Sequence, residues 1–401
     1  MHTTPDAGPR TESLETARVV RFLLYLLMAL YAVSFTMLGP ILPQFIGSYS
    51  LRLAEGGLLA TAQSIGGILA ILVAAVVGDR VRKTRIIAVA ALSFSLALLG
   101  VGVAPSYGAL LGLFLLLGGA TKLIDTMTNA YIADTNAESR GSNLSRMHAF
   151  FGVGALAGPL YVGLLSHYGA GWRESYVVLA AVCALASVVY TVIALRRARD
   201  MATAVAGRTR FLDLLEVLRS GRMWLVVALM FAYAAHQSGL NVWLSMYLQR
   251  VLHASALLAG GGLSVFWLGI ILGRFAAARL ARRVEPEYLL VVGSAVAAPV
   301  LAAGIFFQQP ILMIASGGIA GFLTGAIIPL LIAIGCTLFP RASALATSMI
   351  YLFGSLATML TPWLMGSVAD AVGLRLGILP SALMLAVVFL LSLFLRGHRL
   401  Q

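Results

Sequence analysis

Charge is scarce in this sequence: Asp, Glu, Lys and Arg make up 11% of its 401 residues, while 60% are hydrophobic. Soluble domains carry roughly 25% charged and roughly 45–50% apolar residues, so a water-soluble fold is excluded. Alternating segments of about ten residues, the mark of a membrane β-barrel, are also lacking, which leaves a bundle of helices. There are only two cysteines, Cys183 and Cys336, both inside apolar stretches, with neither zinc spacing nor a disulfide framework. A Walker loop, a metal-ligand cluster and a nucleophile elbow are all missing. Neither an enzyme nor a bound cofactor is therefore expected. The one excess is positive charge, a formal +13. The arginines lie in short segments between apolar stretches and build no basic face, so nucleic acid is not expected as a partner.

What is abundant is apolar sequence. A hydrocarbon core about 30 Å thick needs about 20 apolar residues per spanning helix. Stretches of that kind fall at 22–46, 54–78, 86–104, 108–132, 147–166 and 174–195, then at 222–248, 256–280, 287–308, 311–335, 342–366 and 376–395. The polar start carries Arg10, Arg18 and Arg21, and the apolar stretch after it is too long for a signal-peptide core, so it reads as a retained first helix. The expected organisation is a tail over 1–21, a six-helix bundle over 22–195, a linker over 196–221, a second six-helix bundle over 222–396 and a tail over 397–401. Within the linker, Phe211, Leu212, Leu214, Leu215 and Leu218 follow helical spacing opposite Asp213 and Glu216. That pattern suits a short helix in the membrane interface or, equally, a solvated connector. Of the 28 Lys and Arg, only Arg52, Arg173, Arg250 and Arg375 fall on the side away from the linker, and Lys122 lies within a span. Positive residues are retained on the cytoplasmic side during insertion. The linker and both termini are therefore expected in the cytoplasm, with the chain in the cell membrane.

The two halves echo each other. Phe151 and Gly152 precede Pro159 and Gly163 in the fifth span, and Phe353 and Gly354 precede Pro362 and Gly366 in the eleventh. With six spans on each side of a central linker, the whole chain resembles the major facilitator superfamily, whose members are built from repeated halves. The resemblance implies an all-α membrane protein of twelve helices in two pseudo-repeated halves, a secondary transporter for a small-molecule solute. Such bundles need no second copy to close their core, so a monomer is expected. After the second span the chain reads Gly78-Asp79-Arg80-Val81-Arg82-Lys83-Thr84-Arg85, which resembles the superfamily's loop between helices two and three. That likeness makes Asp79, Arg80 and Arg82 gating candidates, because a carboxylate at the membrane edge can hold guanidinium groups by bonds that break and reform. The motif is degenerate: Ala75 stands in place of its leading glycine and Arg82 in place of its loop glycine.

One acid lies where acids are costly. Asp125 sits within the fourth span, and an acid at that depth is tolerated mainly where it faces a cavity or a partner. Burial raises a carboxylate's pKa and a nearby cation lowers it, so an acid in an alternately hydrated cavity can take up and release a proton. Lys122, three residues earlier, shares its helical face. The pair reads as a static ion bridge, as a switch opened by protonation, or as a lysine that meets an anionic solute. His148, near the start of the fifth span, is a further candidate for the proton path.

The fourth span continues Asp125-Thr126-Met127-Thr128-Asn129, and the seventh reads Tyr233-Ala234-Ala235-His236-Gln237-Ser238-Gly239-Leu240-Asn241-Val242-Trp243. These segments resemble the fucose-permease-like branch of sugar:proton symporters. The likeness implies substrate contacts at Asn129, Tyr233, Gln237, Asn241 and Trp243, with amides that donate and accept toward hydroxyls and aromatic faces for a sugar ring. Departures accompany it. Gly39 stands where that branch places an acid on the first helix, and Gln237 replaces the acid of the seventh. Proton coupling, where present, rests on Asp125 alone, and sodium coupling or facilitated diffusion stays open. A second reading comes from Gly154-Ala155-Leu156-Ala157-Gly158-Pro159, which resembles the glycine-proline element of proton-coupled drug exporters. The 14 methionines would suit hydrophobic or lipid-like cargo. A membrane receptor or scaffold is a third class, disfavoured by the repeat and the buried acid.

Overall fold

The computed structural model describes residues 9–77, 81–135, 140–197, 216–281 and 283–397. All regular structure among them is helical. Among the described residues, twelve helices are long and apolar enough to span a membrane: Arg18–Tyr49, Leu53–Ala74, Lys83–Gly102, Tyr107–Asp134, Ser142–His167, Trp172–Ala194, Gly221–Arg250, Ala256–Leu280, Pro286–Phe307, Pro310–Leu338, Leu345–Val372 and Leu374–Gly397. Each overlaps one of the twelve apolar stretches of the sequence. Large apolar side chains such as Val89, Leu96, Leu185 and Phe306 are exposed on their outer faces. Lipid rather than water suits that surface, since helices that satisfy their own backbone groups are stable in hydrocarbon.

Two local differences from the expected pattern have simple causes. The first helix starts at Pro9, inside the segment read as a polar tail. Proline is favoured in the first turn, and no glycine or further proline interrupts the sequence before Gly39. The tenth span is two helices, Pro310–Thr324 and Ile327–Leu338, separated at Gly325 and Ala326. Pro329 lacks an N–H, so the Gly325 carbonyl has no helical donor and the ladder opens there. Of the suggested interfacial helix, residues 211–215 lie outside the described residues; 216–219 are helical, with Val217 buried and Leu218 exposed.

Packing divides the chain into two units. One comprises Met1–Ala32, Ile65–Gly154 and Arg173–Val205; the other comprises Val33–Ser64, Ala155–Trp172 and Ala206–Gln401. The ends of the first, second and fifth spans that lie away from the linker, the far side, thus pack with the six spans of the second half. In the first unit a Cβ on Gly66 would run into the Leu115 carbonyl, and one on Gly154 into the backbone of Ala29. These glycines let the second span touch the fourth and the fifth touch the first. In the second unit the eighth and tenth spans meet backbone to backbone at Gly269, Gly273, Gly321 and Gly325. Apolar tails compete equally for apolar side chains, so helix association in a bilayer depends on such close contact.

Gly273→Ala places a methyl group against the backbone of Phe322, whereas Gly112 has open space around it. Overpacking of this kind costs about 1–3 kcal/mol. The melting temperature of the detergent-purified protein should fall for Gly273→Ala and stay level or rise slightly for Gly112→Ala; equal values for the two would show that this close approach carries no stability.

Candidate functional site

The first unit holds the intramembrane acid in a compact polar cluster. Lys122 Nζ lies 3.1 Å from Asp125 Oδ2, and Asn129 Nδ2 donates to both Asp125 Oδ1 and the Asp125 carbonyl at 2.8 Å. The helix itself sets this geometry, because residues three and four apart share a face. The cluster is not sealed: the side chains of Lys122 and Asp125 are 32% and 22% exposed. Gly67 of the second span lies against the Lys122 stem, and Tyr31 of the first span is within electrostatic reach of both charges. His148 is exposed on the fifth span. Of the gating candidates, Asp79 and Arg80 lie outside the described residues, and Arg82 precedes the third helix. Its neighbour Lys83 forms an ion pair with Asp134 at the end of the fourth span.

The second unit receives the seventh-span candidates, and it occupies most of them. Trp243 is 1% exposed, and its Nε1 donates to the Pro362 carbonyl at 3.1 Å. Asn241 is 3% exposed; its Nδ2 donates to the Phe35 carbonyl at 3.3 Å and its Oδ1 accepts from Trp267 Nε1 at 3.1 Å. Tyr233 is fully buried beside Thr324. Gln237 differs: it is half-buried, and its amide makes no hydrogen bond among the described residues. His236, between Tyr233 and Phe266, is buried with Nδ1 3.0 Å from the Ser381 carbonyl.

The Asn241–Phe35 contact belongs to a dense far-side junction. Gly39 packs on the Asn241 carbonyl, Gly57 on Pro362, Gly366 on Leu53, Gly260 on Pro159 and Gly163 on Leu257. Hydrogen bonds accompany them: Thr61 Oγ1 donates to the Met359 carbonyl at 2.6 Å and Ser264 Oγ to the Leu156 carbonyl at 2.8 Å. An acid at position 39 would drive its Cβ into the backbone of the seventh span. The sequence departure at Gly39 therefore has a steric basis in this conformation.

The profile of the Major Facilitator Superfamily matches residues 24–310. The chain belongs to that superfamily. It is a multi-pass secondary transporter and not an enzyme. The chain is 23% identical over 388 residues to the inner membrane transport protein YdiN of Escherichia coli (strain K12), covering 94% of this chain and 90% of YdiN. It is 21% identical over 314 residues to the uncharacterized MFS-type transporter YfkL of Bacillus subtilis (strain 168), covering 78% and 79%. Its fold is similar to that of a bacterial homologue of the human lysosomal transporter Spinster, inward-facing and unoccupied, with a TM-score of 0.80, 19% identity and coverage of 95% and 97%. It is also similar to the nucleoside transporter NupG, with a TM-score of 0.74, 14% identity and coverage of 94% and 97%.

For a facilitator, the junction's acidic contact is informative, and sequence reasoning passes over it. Asp370, at the far end of the eleventh span, accepts from the backbone N–H of Leu53 and of Ala54 at 2.9 Å each. The second helix starts after Arg52, which cannot cap it; Glu55 bonds back to the Arg52 N–H at 2.8 Å, one half of a capping box. Asp370, from the opposite end of the chain, supplies the acceptors for the first two N–H groups of the helix. The signal in the sequence is a helix start with an acid in its first turn and no Ser, Thr, Asp or Asn at its cap. Loss of such a cap costs about 0.5–2 kcal/mol. In a background free of Cys183 and Cys336, a cysteine at Thr61 should react with a water-soluble maleimide about 2–30 times faster once Asp370 is changed to Ala, as the junction opens more often. An unchanged rate would mean that Asp370 does not hold it.

Proposed function

We propose that this facilitator is a proton-coupled carrier of a small hydroxyl-bearing solute, a sugar being the class its polar lining suits, with Asp125 as the coupling group. The observation that carries the reading is the Lys122–Asp125–Asn129 cluster, which is polar, within a span and only partly buried. When Asp125 takes up a proton, its attraction for Lys122 falls and one carboxylate oxygen becomes a donor. Lys122 then loses its counter-charge, and its need for a new partner couples protonation to a change in the contacts of the fourth span. Lys122 is released at the same moment. Asn129 and Gln237 keep amide capacity for hydroxyls, and the resemblance to the fucose-permease-like branch supports the same class. Asn241 Nδ2 joins the lining when the far-side junction opens and Phe35 of the first span withdraws, while Trp243, bonded to Pro362 within the second half, offers its ring face.

In this reading the linker faces the cytoplasm, as the arginine distribution favours, and the far-side junction is the external seal of a monomeric carrier. The inner-membrane location in YdiN's name supports a bacterial plasma-membrane setting. Lys83–Asp134 ties the degenerate loop motif to the fourth span, which supports a gating role for Asp79, Arg80 and Arg82 around it. Export of hydrophobic or lipid-like compounds is the second reading. Its supporting observation is the packing of Gly154 on Ala29 and of Gly158 on Val33 and Thr36, which shapes the fifth span as the exporter-like element requires.

With a solute chosen by a thermal-shift screen of sugars, organic acids, amphipathic drugs and lipid headgroups, flux in proteoliposomes tests the coupling. Asp125→Asn should abolish accumulation driven by a pH gradient while leaving exchange of labelled for unlabelled solute intact. Accumulation at the wild-type level would remove Asp125 from the coupling role.

A further inference from the structure

Arg274 belongs to the eighth span, about 9 Å of helix before its end at Leu280. Counted along the sequence, it is one more arginine of the linker side. The structure gives it a specific partner inside the helix pair. Its Nε donates to the Gly325 carbonyl at 3.1 Å, and Gly325 lies near the middle of the 29-residue tenth span. The guanidinium is therefore held on a backbone carbonyl of a neighbouring span. The placement has a cause in the sequence. Pro329 leaves the Gly325 carbonyl without its helical donor, and the glycine contacts between the eighth and tenth spans bring Arg274 to it.

Three features make this more than a helix cap. Arg274 is only partly buried, and one of its five N–H groups is used by the carbonyl. It has no ion-pair partner among the described residues, whereas Lys122, the other cation deep in a span, is neutralised by Asp125. It also lies within electrostatic reach of Tyr233, one helical turn along the seventh span from the unengaged Gln237. An intramembrane cation without a counter-charge is costly unless something anionic visits it, and the four remaining N–H groups form a planar fork suited to an oxyanion.

We propose that Arg274 anchors an anionic group of the transported solute, a carboxylate or a phosphate, while Gln237 meets its hydroxyls; the cargo class is then a hydroxylated acid or a sugar phosphate in place of a neutral sugar. The proposal rests on the carrier reading and is independent of coupling through Asp125.

Equilibrium binding to the full-length purified protein, without a pH gradient and followed by thermal shift, tests the anchor. The probes are glucuronate, glucose 6-phosphate, inorganic phosphate and neutral glucose, each to about 10 mM, above the usual upper range of about 1 mM for transported or turned-over solutes. Glucuronate or glucose 6-phosphate should stabilise the wild type more than glucose does, and whichever of the two dominates names the anion. Arg274→Gln should weaken that binding at least about tenfold, as expected for loss of a charged hydrogen bond. Arg274→Lys, which keeps the charge without the fork, should bind with intermediate affinity and serves if the Gln variant fails to fold. Stabilisation by inorganic phosphate alone, by glucose as strongly as by the acids, or by none of the probes overturns the proposal. So does an unchanged anion affinity in Arg274→Gln, even with a lower melting temperature, since that pattern belongs to a helix cap only. A failed flux test of Asp125 leaves these binding results standing, so the two ideas fall separately.

Discussion

The close approach of helix backbones at glycine is the constraint on which the second unit depends. Lipid is as apolar as leucine, so two spans gain little by merely hiding side chains from it. They gain by dense contact and by hydrogen bonds, and both require removing the side chain at the crossing. Gly39, Gly57, Gly163, Gly260 and Gly366 do this at the far side. The first span meets the seventh, the second meets the eleventh and the fifth meets the eighth. Exchanging the two halves of the chain maps this set of pairs onto itself. The repeated proline-glycine spacing of the fifth and eleventh spans acquires a physical meaning here: Pro159 with Gly163, and Pro362 with Gly366, occupy equivalent places in equivalent crossings.

Contacts of this kind leave backbone carbonyls facing a neighbouring helix, and polar side chains are drawn to them. Trp243, Asn241, Thr61 and Ser264 all donate to a carbonyl of another span. The polar groups of the Lys122–Asp125–Asn129 cluster satisfy one another along a single helix instead. The difference decides what each group is free to do. A side chain bonded across a crossing is committed for as long as the crossing holds, whereas one bonded along its own helix travels with it and can change partners without helix separation.

Features that depend on periodicity were legible in the sequence. The twelve spans follow from hydropathy alone, and the Asp125 cluster follows from i, i+3 and i, i+4 spacing. Features in which a side chain meets a distant backbone group were not. Asp370 reads as a loop acid until its partners, the N–H groups of Leu53 and Ala54, appear more than 300 residues away in the chain. Arg274 reads as a linker-side arginine when charge is counted by position along the helix, while its partner is a carbonyl that Pro329 frees on another span. Asn241 and Trp243 show the converse. Their types suit a sugar site, yet type says nothing of whether a carbonyl across the crossing has already claimed the side chain.

The capping of the second helix by Asp370 shows how a junction can be firm and still reversible. A carrier that exposes its site to each side in turn must break this junction once in every cycle, so its two closed states have to lie close in free energy. A fully buried ion pair would be a poor latch, since separating its charges leaves a large desolvation penalty. The bonds from Leu53 and Ala54 to Asp370 are exposed, and water can replace each partner when the spans part. The net gain from the cap is therefore of the order of 1 kcal/mol, a several-fold bias in population. The glycine crossings add dispersion contacts that are lost together as the spans separate, which makes opening cooperative. Weak, solvated capping and tight, featureless packing thus play separate parts. Packing makes the junction all-or-none, and the cap sets which side of that balance the protein prefers.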